Sequence, residues 1–241
     1  MEPISKYLTN LKDFEFYNPI YTGPSYIYHF TQPIKIKKLK LASSLDSSTW
    51  LSSLLKNCPE LEEFNYSPPS GFIDSNLALT FDKPAKIKKL TIDCQDLNRS
   101  TLDSILLNCP HLKELDIIFP NEWKPYSDIV LQRCTNLEHL TLHSRYSLPS
   151  QEEYNSLKFL STSSFKNTLI SLTLNNLNFC CSANSLHLKD YSNLKFVKLQ
   201  IPNRGYGKWG SVAPFNEDFW SGYLRSSYLN SDYDGYKLTK L

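Results

Sequence analysis

The chain has 241 residues, of which 41% are hydrophobic and 21% are charged. This composition excludes a mainly disordered chain, because such chains carry few apolar residues for their charge. The 26 basic and 24 acidic residues give a net charge of +2, so a nucleic acid or an anionic membrane would need a local basic patch. The sequence shows neither a long apolar run nor a secretory signal pattern. We therefore expect an intracellular protein, cytoplasmic or nuclear.

A short apolar motif recurs along most of the sequence. In each copy an apolar residue is followed three and five positions later by two more, and the copies begin at Leu11, Ile36, Leu61, Ile87, Leu112, Leu137, Leu169 and Leu194. Successive starts differ by 25, 25, 26, 25, 25, 32 and 25 residues. The last two apolar positions alternate with polar ones, as a short strand with one buried face requires. The motif therefore predicts one strand per copy.

A second period of 51 residues lies over the first, since residues 30–39 recur as residues 81–90 with the run Lys-Ile-Lys-Lys-Leu in both. Apolar residues spaced by three and four precede the motifs at Leu61, Leu112, Leu137 and Leu169, which indicates helices there. The segments that end at Pro33 and Pro84 are expected to be extended. Unlike repeats therefore alternate in the first half of the chain.

A strand and a return segment in every 25 residues predict a solenoid whose strands form one parallel sheet. The fold class is α/β, with a curved parallel sheet and with helices and extended segments on the convex side. We expect a repeat domain of about eight repeats at residues 1–201, with an insertion near 143–168 where the interval is longest. Residues 202–241 are rich in glycine and aromatic residues and are expected to form a C-terminal cap or tail.

Three of the motifs are preceded by a cysteine corner. The sequences are Asn-Cys-Pro-Glu-Leu at 57–61, Asn-Cys-Pro-His-Leu at 108–112 and Arg-Cys-Thr-Asn-Leu at 133–137. Over roughly residues 8–200 the chain resembles the cysteine-containing class of leucine-rich repeats, best known from the substrate-binding half of F-box proteins. The resemblance implies a leucine-rich-repeat solenoid that recognises a protein and works with ubiquitin-ligase components. Only ten residues precede Leu11, so no F-box is expected in this chain.

Candidate catalytic chemistry is sparse. Cys58, Cys109 and Cys134 each lie between a predicted helix and the strand that follows it, where a small apolar side chain fits. Their spacing does not place them in the close pairs that metal sites use. The Gly-x-Gly-x-x-Gly run at 205–210 lacks the strand-to-helix context of a dinucleotide site. We therefore predict no catalytic, cofactor-binding or metal-binding residue, and a protein that is not an enzyme. The alternative is an enzyme with its site in the 143–168 insertion, which begins at His143, or in the C-terminal tail.

Two lysine clusters suggest a nucleic-acid-binding alternative. They comprise Lys35, Lys37, Lys38 and Lys40, and then Lys86, Lys88 and Lys89. Charge alternates along the third motif position, however, from Asp13 through Lys38, Glu63 and Lys89 to Glu114. Each lysine there is predicted to meet a carboxylate on a neighbouring strand, which disfavours nucleic acid as the partner.

The later strands present a different set of residues at the same motif positions. These are the candidate partner-binding residues His139, Thr141, Ser171, Thr173, Phe196 and Lys198, which show no alternation of charge. The insertion adds a loop around residues 146–150, and loops on a rigid scaffold are favoured for recognition. The prediction is a non-catalytic scaffold that binds a protein on its concave sheet, and in sharper form a substrate receptor related to F-box ubiquitin-ligase subunits.

Overall fold

The computed structural model describes residues 11–18, 33–43, 52, 54–67, 84–120, 122–144, 160, 162–175, 190–202, 223–229 and 233–240. The strands are β1 Asp13–Asn18, β2 Lys38–Ser43, β3 Glu63–Tyr66, β4 Lys89–Asp93, β5 Glu114–Phe119, β6 His139–Ser144, β7 Ser171–Asn175, β8 Phe196–Pro202, β9 Tyr223–Leu229 and β10 Tyr233–Lys240. The helices are α1 Arg99–Leu107 and α2 Lys124–Arg133, and a short 3-10 helix spans Ser164–Asn167.

The strands confirm the predicted repeat. Each of β1 to β8 begins two residues after the first apolar residue of a motif, from Asp13 after Leu11 to Phe196 after Leu194. In β2 to β8, every motif residue whose burial the structure describes exposes at most 2% of its surface. Alternation places these residues on one face of each strand. The fold class is therefore α/β with parallel strands, as the motif predicted.

The chain forms two compact units, residues 1–115 and 116–241, and the boundary falls within β5. In the first unit β1 to β4 pair in parallel, with Asp13, Lys38, Glu63 and Lys89 in one register row. The start of β5 continues this ladder, since the N–H groups of Lys113 and Glu114 donate to one carbonyl, 2.8 and 2.9 Å away, just before β4. The predicted division at residue 202 stays a prediction.

The cysteine corners have the same backbone geometry in both copies of the 51-residue period. The N–H of Cys58 and that of Cys109 each donate to the carbonyl three residues earlier, at 3.2 and 3.1 Å. Their own carbonyls each accept from the first leucine of the motif at 3.1 Å. Burial raises the pKa of both thiols to about 12. Cys134 is buried as well, so the predicted structural role of the three cysteines agrees with the fold.

The helices form where apolar spacing predicted them, with one difference. In α1 the side chain of Asn98 accepts from the Thr101 N–H at 3.1 Å, and the apolar residues Leu102, Ile105 and Leu106 are buried. In α2 Val130 is buried but Ile129 is only half-buried, because the buried position one turn away is Ser127 and adjacent residues point to different sides of a helix. The segments before Pro33 and Pro84 lie outside the described residues.

In the second unit β6 to β8 are parallel, whereas β10 pairs antiparallel with β8 and β9 pairs antiparallel with β10. The Thr239 position of β10 lies opposite Phe196 of β8. A strand that adds to β8 supplies backbone partners for its second edge. The described part of the predicted cap at 202–241 is therefore regular hairpin structure, a result that glycine and aromatic content did not indicate.

The buried corners lead to a prediction for thiol chemistry. Cys58, Cys94, Cys109 and Cys134 are free and buried, and the thiolate is the form that reacts. We expect these four to react with a disulfide reagent at about pH 8 far more slowly in the native protein than in denaturant. Peptide mapping by mass spectrometry at successive times measures each rate. Rapid native modification of Cys58 or Cys109 would contradict the corner assignment.

Candidate functional site

The six predicted partner-binding residues lie together on the second unit. The register of β6, β7 and β8 places them in two rows: His139, Ser171 and Phe196, and then Thr141, Thr173 and Lys198. All six are half-buried, while Leu140, Leu172 and Val197 between the rows are buried. Alternate residues of a strand point to opposite sides of a sheet. The six side chains therefore share one surface, which we call the β6–β8 face.

A hydrogen bond crosses the first row. Nδ1 of His139 lies 2.7 Å from the hydroxyl Oγ of Ser171. The sequence analysis found no alternation of charge on these strands, and it did not foresee this hydrogen bond between side chains of another kind. Parallel register brings side chains at equal motif positions close enough to bond, and a histidine and a serine can do so without opposite charge. The contact holds both side chains in place on the face.

Phe196 occupies the end of the first row. Register places Ser171 on one side of it and the Thr239 position of β10 on the other. Its side chain is half-buried. Strand alternation predicted the face of the sheet on which Phe196 lies. It did not predict how far the side chain is buried, because the sequence did not indicate that β10 pairs with β8. The aromatic ring is thus partly covered and partly available to a ligand.

A polar cluster of Asp116, His143 and Asn175 lies beside the two rows. Asn175 Nδ2 is 2.9 Å from Nδ1 and 3.3 Å from Nε2 of His143, and Asp116 Oδ1 is 2.7 Å from Nε2. The His143 ring thus lies between an amide and a carboxylate. Sequence reasoning found His143 but missed its partners. The available signal was motif position, since His143 and Asn175 are both seventh in their repeats.

Two oxygens of this cluster are buried acceptors. Asp116 Oδ1 is close to the His143 ring but makes no well-aligned hydrogen bond, and Asn175 Oδ1 has no hydrogen-bond partner among the described residues. A buried acceptor without a donor is costly, and the cost is recovered when a donor arrives. Both oxygens have almost no exposed surface, so a ligand could donate to them only if neighbouring side chains moved.

On the first unit, one face of the strands carries ion pairs between side chains of neighbouring strands. Nζ of Lys38 is 2.8 Å from Glu63 Oε1, and Nζ of Lys89 is 3.3 Å from Glu114 Oε2. Hydrogen bonding to Glu63 raises the pKa of Lys38. These pairs confirm the predicted alternation of charge. A depression of about 250 Å³ lies over this face and is lined by both lysines and by Glu63.

Several sequence features lie outside the described residues, including the 146–150 loop and the Gly-rich run at 205–210. Within the described part of the chain, no group of His, Cys, Asp or Glu is arranged to hold a metal ion. No described helix is long and apolar enough to cross a membrane.

The observed class is thus an α/β protein of repeated parallel strands, with a polar face on β6 to β8. No protein-family model matches the chain, and no curated protein is significantly similar to it. What the protein does must therefore be argued from its own side chains.

Proposed function

We propose that this chain is a non-catalytic recognition scaffold that binds a protein partner on the β6–β8 face. The observation that carries the proposal is the convergence of six residues, chosen from motif position alone, on one half-buried surface of rigid strands. Neighbouring parallel strands are held about 4.8 Å apart, so the side chains are fixed before a partner arrives. Such preorganisation lowers the entropic cost of binding.

The chemistry of the β6–β8 face suits a polypeptide. Phe196 offers an aromatic anchor, Thr141 and Thr173 offer hydroxyls, and Lys198 offers a cation. Aromatic residues in partly enclosed positions contribute most of the energy at many interfaces.

The sharper form of the proposal is a substrate receptor related to F-box ubiquitin-ligase subunits. It rests on the resemblance of the cysteine corners to the leucine-rich repeats of those proteins. Affinity purification of the tagged full chain from cells tests it. Co-purification of a cullin-ligase adaptor at near-stoichiometric yield would support the ligase role. Partners recovered without the adaptor would leave only the general scaffold.

The binding prediction concerns Phe196. Once a partner has been purified, we expect Phe196→Ala to weaken its binding by about 1 to 2 kcal/mol or more, the range for an interface anchor. Lys195→Ala is the matched control, because this exposed residue directly precedes Phe196 and lies off the face. Lys38→Ala, in the first unit, is the second control. Isothermal titration with each variant measures the change.

The result that would contradict this assignment is a loss for Lys195→Ala or Lys38→Ala as large as that for Phe196→Ala. Thermal melting of every variant must accompany the titration, since Phe196 is half-buried and contributes to packing. A variant that melts like the parent chain and binds like it would place the partner elsewhere.

An enzyme remains the second candidate function, and one observation favours it. His143 lies between Asp116 and Asn175, and histidine is the side chain most often used for general acid and base catalysis. Among the described residues, no serine or cysteine side chain bonds to the His143 ring. Screening the full chain for hydrolase activity, with His143→Gln compared with the parent chain, decides between the enzyme and the scaffold. Turnover that this substitution abolishes would replace the scaffold proposal.

A further inference from the structure

The lysines of the first unit separate into two groups once the strands are in place. Lys38, Lys40 and Lys89 lie within strands and belong to the paired face described above. A second group lies directly before the strands, where the chain enters the sheet. The residue before each of β1 to β5 is, in order, Lys12, Lys37, Glu62, Lys88 and Lys113.

Backbone hydrogen bonds hold these five residues in a line. The N–H of Lys37 donates to the carbonyl of Lys12 at 2.7 Å, and that of Glu62 donates to the carbonyl of Lys37 at 2.8 Å. The same bond, at 2.8 Å, joins Lys88 to Glu62 and Lys113 to Lys88. Five strands at about 4.8 Å spacing make the line about 19 Å long.

Three more charged residues lie beside this line. Lys35 and Lys86 are exposed and stand two residues before Lys37 and Lys88, with a buried isoleucine between each pair, and Nζ of Lys86 lies 2.9 Å from Glu60 Oε1. Glu60 occupies the corresponding place before Glu62. We call the eight residues the strand-entry edge: Lys12, Lys35, Lys37, Lys86, Lys88, Lys113, Glu60 and Glu62. Six lysines and two glutamates give it a net charge of +4 (6 − 2).

At the edge, Lys86 pairs with Glu60, but Lys37 and Lys88 share one carboxylate, whereas the ion pairs on the face join separate partners. Nζ of Lys37 is 3.0 Å from Glu62 Oε1, and Nζ of Lys88 is 3.1 Å from Oε2 of the same residue. Hydrogen bonds from these two lysines lower the pKa of Glu62. On the face, Lys38 and Lys89 each have a carboxylate of their own. Excess positive charge is therefore concentrated at the edge, where the side chains of Lys37, Lys86 and Lys88 are more than half exposed.

We infer that the strand-entry edge binds an extended acidic segment of a partner protein. This surface and its ligand are separate from the β6–β8 face, so the inference does not depend on the proposed function. At about 3.3 Å per residue, an extended segment of about six residues covers the 19 Å line. Opposite charge along the edge also accelerates the encounter of the two molecules.

Two features favour a polypeptide over a nucleic acid at this edge. Glu60 and Glu62 lie in the middle of the lysines, and a phosphate backbone, which carries a charge at every nucleotide, would face them directly. A polypeptide can place a neutral or basic residue there. Among the residues whose burial the structure describes, no Phe, Tyr or Trp side chain is exposed, so that part of the edge has no platform on which unpaired bases could stack.

The 51-residue period supplies a matched pair of variants for the test. Lys37→Gln/Lys88→Gln changes the edge, and Lys38→Gln/Lys89→Gln changes the face one residue away in the same two repeats. Both remove two charges, and all four lysines are ion-paired to glutamates. The probe is a fluorescent synthetic 12-residue peptide of alternating Glu and Gly, titrated with the full chain at low and moderate salt. Fluorescence anisotropy reports binding.

We expect the edge variant to bind the peptide at least about fivefold more weakly at low salt and the face variant to bind nearly as the parent chain does. Glu62→Gln should bind more tightly, because it removes a negative charge from the line. Equal losses for the two double variants would show attraction by net charge alone and would overturn the inference. Failure of the parent chain to bind the peptide, or tighter binding to a 12-base-pair DNA duplex lost in the edge variant, would overturn it too.

Discussion

Replacing Leu115 by Asp should abolish folding of the chain at ordinary temperature. Leu115 is the central apolar residue of the fifth motif and exposes 1% of its surface. A carboxylate at this position would be buried without a partner, at a cost of several kcal/mol or more. Domains of this size are stable by only about 5 to 15 kcal/mol. Circular dichroism and urea unfolding of the purified variant measure the loss.

Two further variants make this prediction specific. Leu115→Ala should fold but lose about 2 to 5 kcal/mol, the usual range for deleting a buried leucine side chain. Ile118→Asp is the positional control, because Ile118 lies on the same strand, half-buried on the opposite face. We expect it to cost clearly less than Leu115→Asp. A soluble Leu115→Asp chain with an unchanged melting temperature would mean that the assigned strand face is wrong.

The second large effect is expected at Tyr191, which occupies the corner position of the eighth repeat. Three residues before Leu194, it stands where Cys58 stands before Leu61, and its carbonyl accepts from the Leu194 N–H at 3.4 Å. Its side chain exposes 1% of its surface, and its hydroxyl donates to the carbonyl of Leu160. One side chain thus fills a corner and bonds to a segment 31 residues earlier.

Truncation of Tyr191 removes both the packing and the bond. Tyr191→Ala should cost about 3 to 5 kcal/mol in the free energy of unfolding, as for other large buried aromatic residues. Tyr191→Phe leaves the Leu160 carbonyl without this donor and should cost about 1 to 3 kcal/mol. Tyr191→Cys, which restores the residue of the other corners, should still be destabilising because it leaves a cavity. Tolerance of the cysteine variant would contradict this account.

The phenol of Tyr191 also adds a pH dependence. Burial raises its pKa from 10.0 to about 12. The unfolded chain therefore loses this proton first as the pH rises, and the free energy of unfolding falls between about pH 10 and pH 12. Below pH 10 the effect is absent. Tyr191→Phe should lack this part of the alkaline decrease, which urea unfolding at a series of pH values will show as a shallower slope than that of the parent chain.

Local pattern was sufficient for the strands and for the paired face. The spacing of Leu112, Leu115 and Ile117 marks a buried strand face because side chains alternate every residue, whatever the strand pairs with. The charges of Lys38 and Glu63 could be matched because parallel neighbours at equal motif positions lie side by side. The same rule, that equal motif positions lie side by side, predicted one group of His139, Ser171 and Phe196. The strand register places these residues next to one another.

Contacts that depend on side-chain reach were decided only by the tertiary structure. His143 contacts Asn175 at the same motif position but also Asp116 at a different one, so motif position alone does not predict which atoms meet. The Tyr191 hydroxyl bonds to the carbonyl of Leu160, a residue that belongs to no copy of the motif. Periodicity in the chain thus specified the buried strand faces, because that signal is local. The contacts of His143 with Asn175 and of Tyr191 with Leu160 emerged only when hydrogen bonding between strands set the register and brought those side chains together.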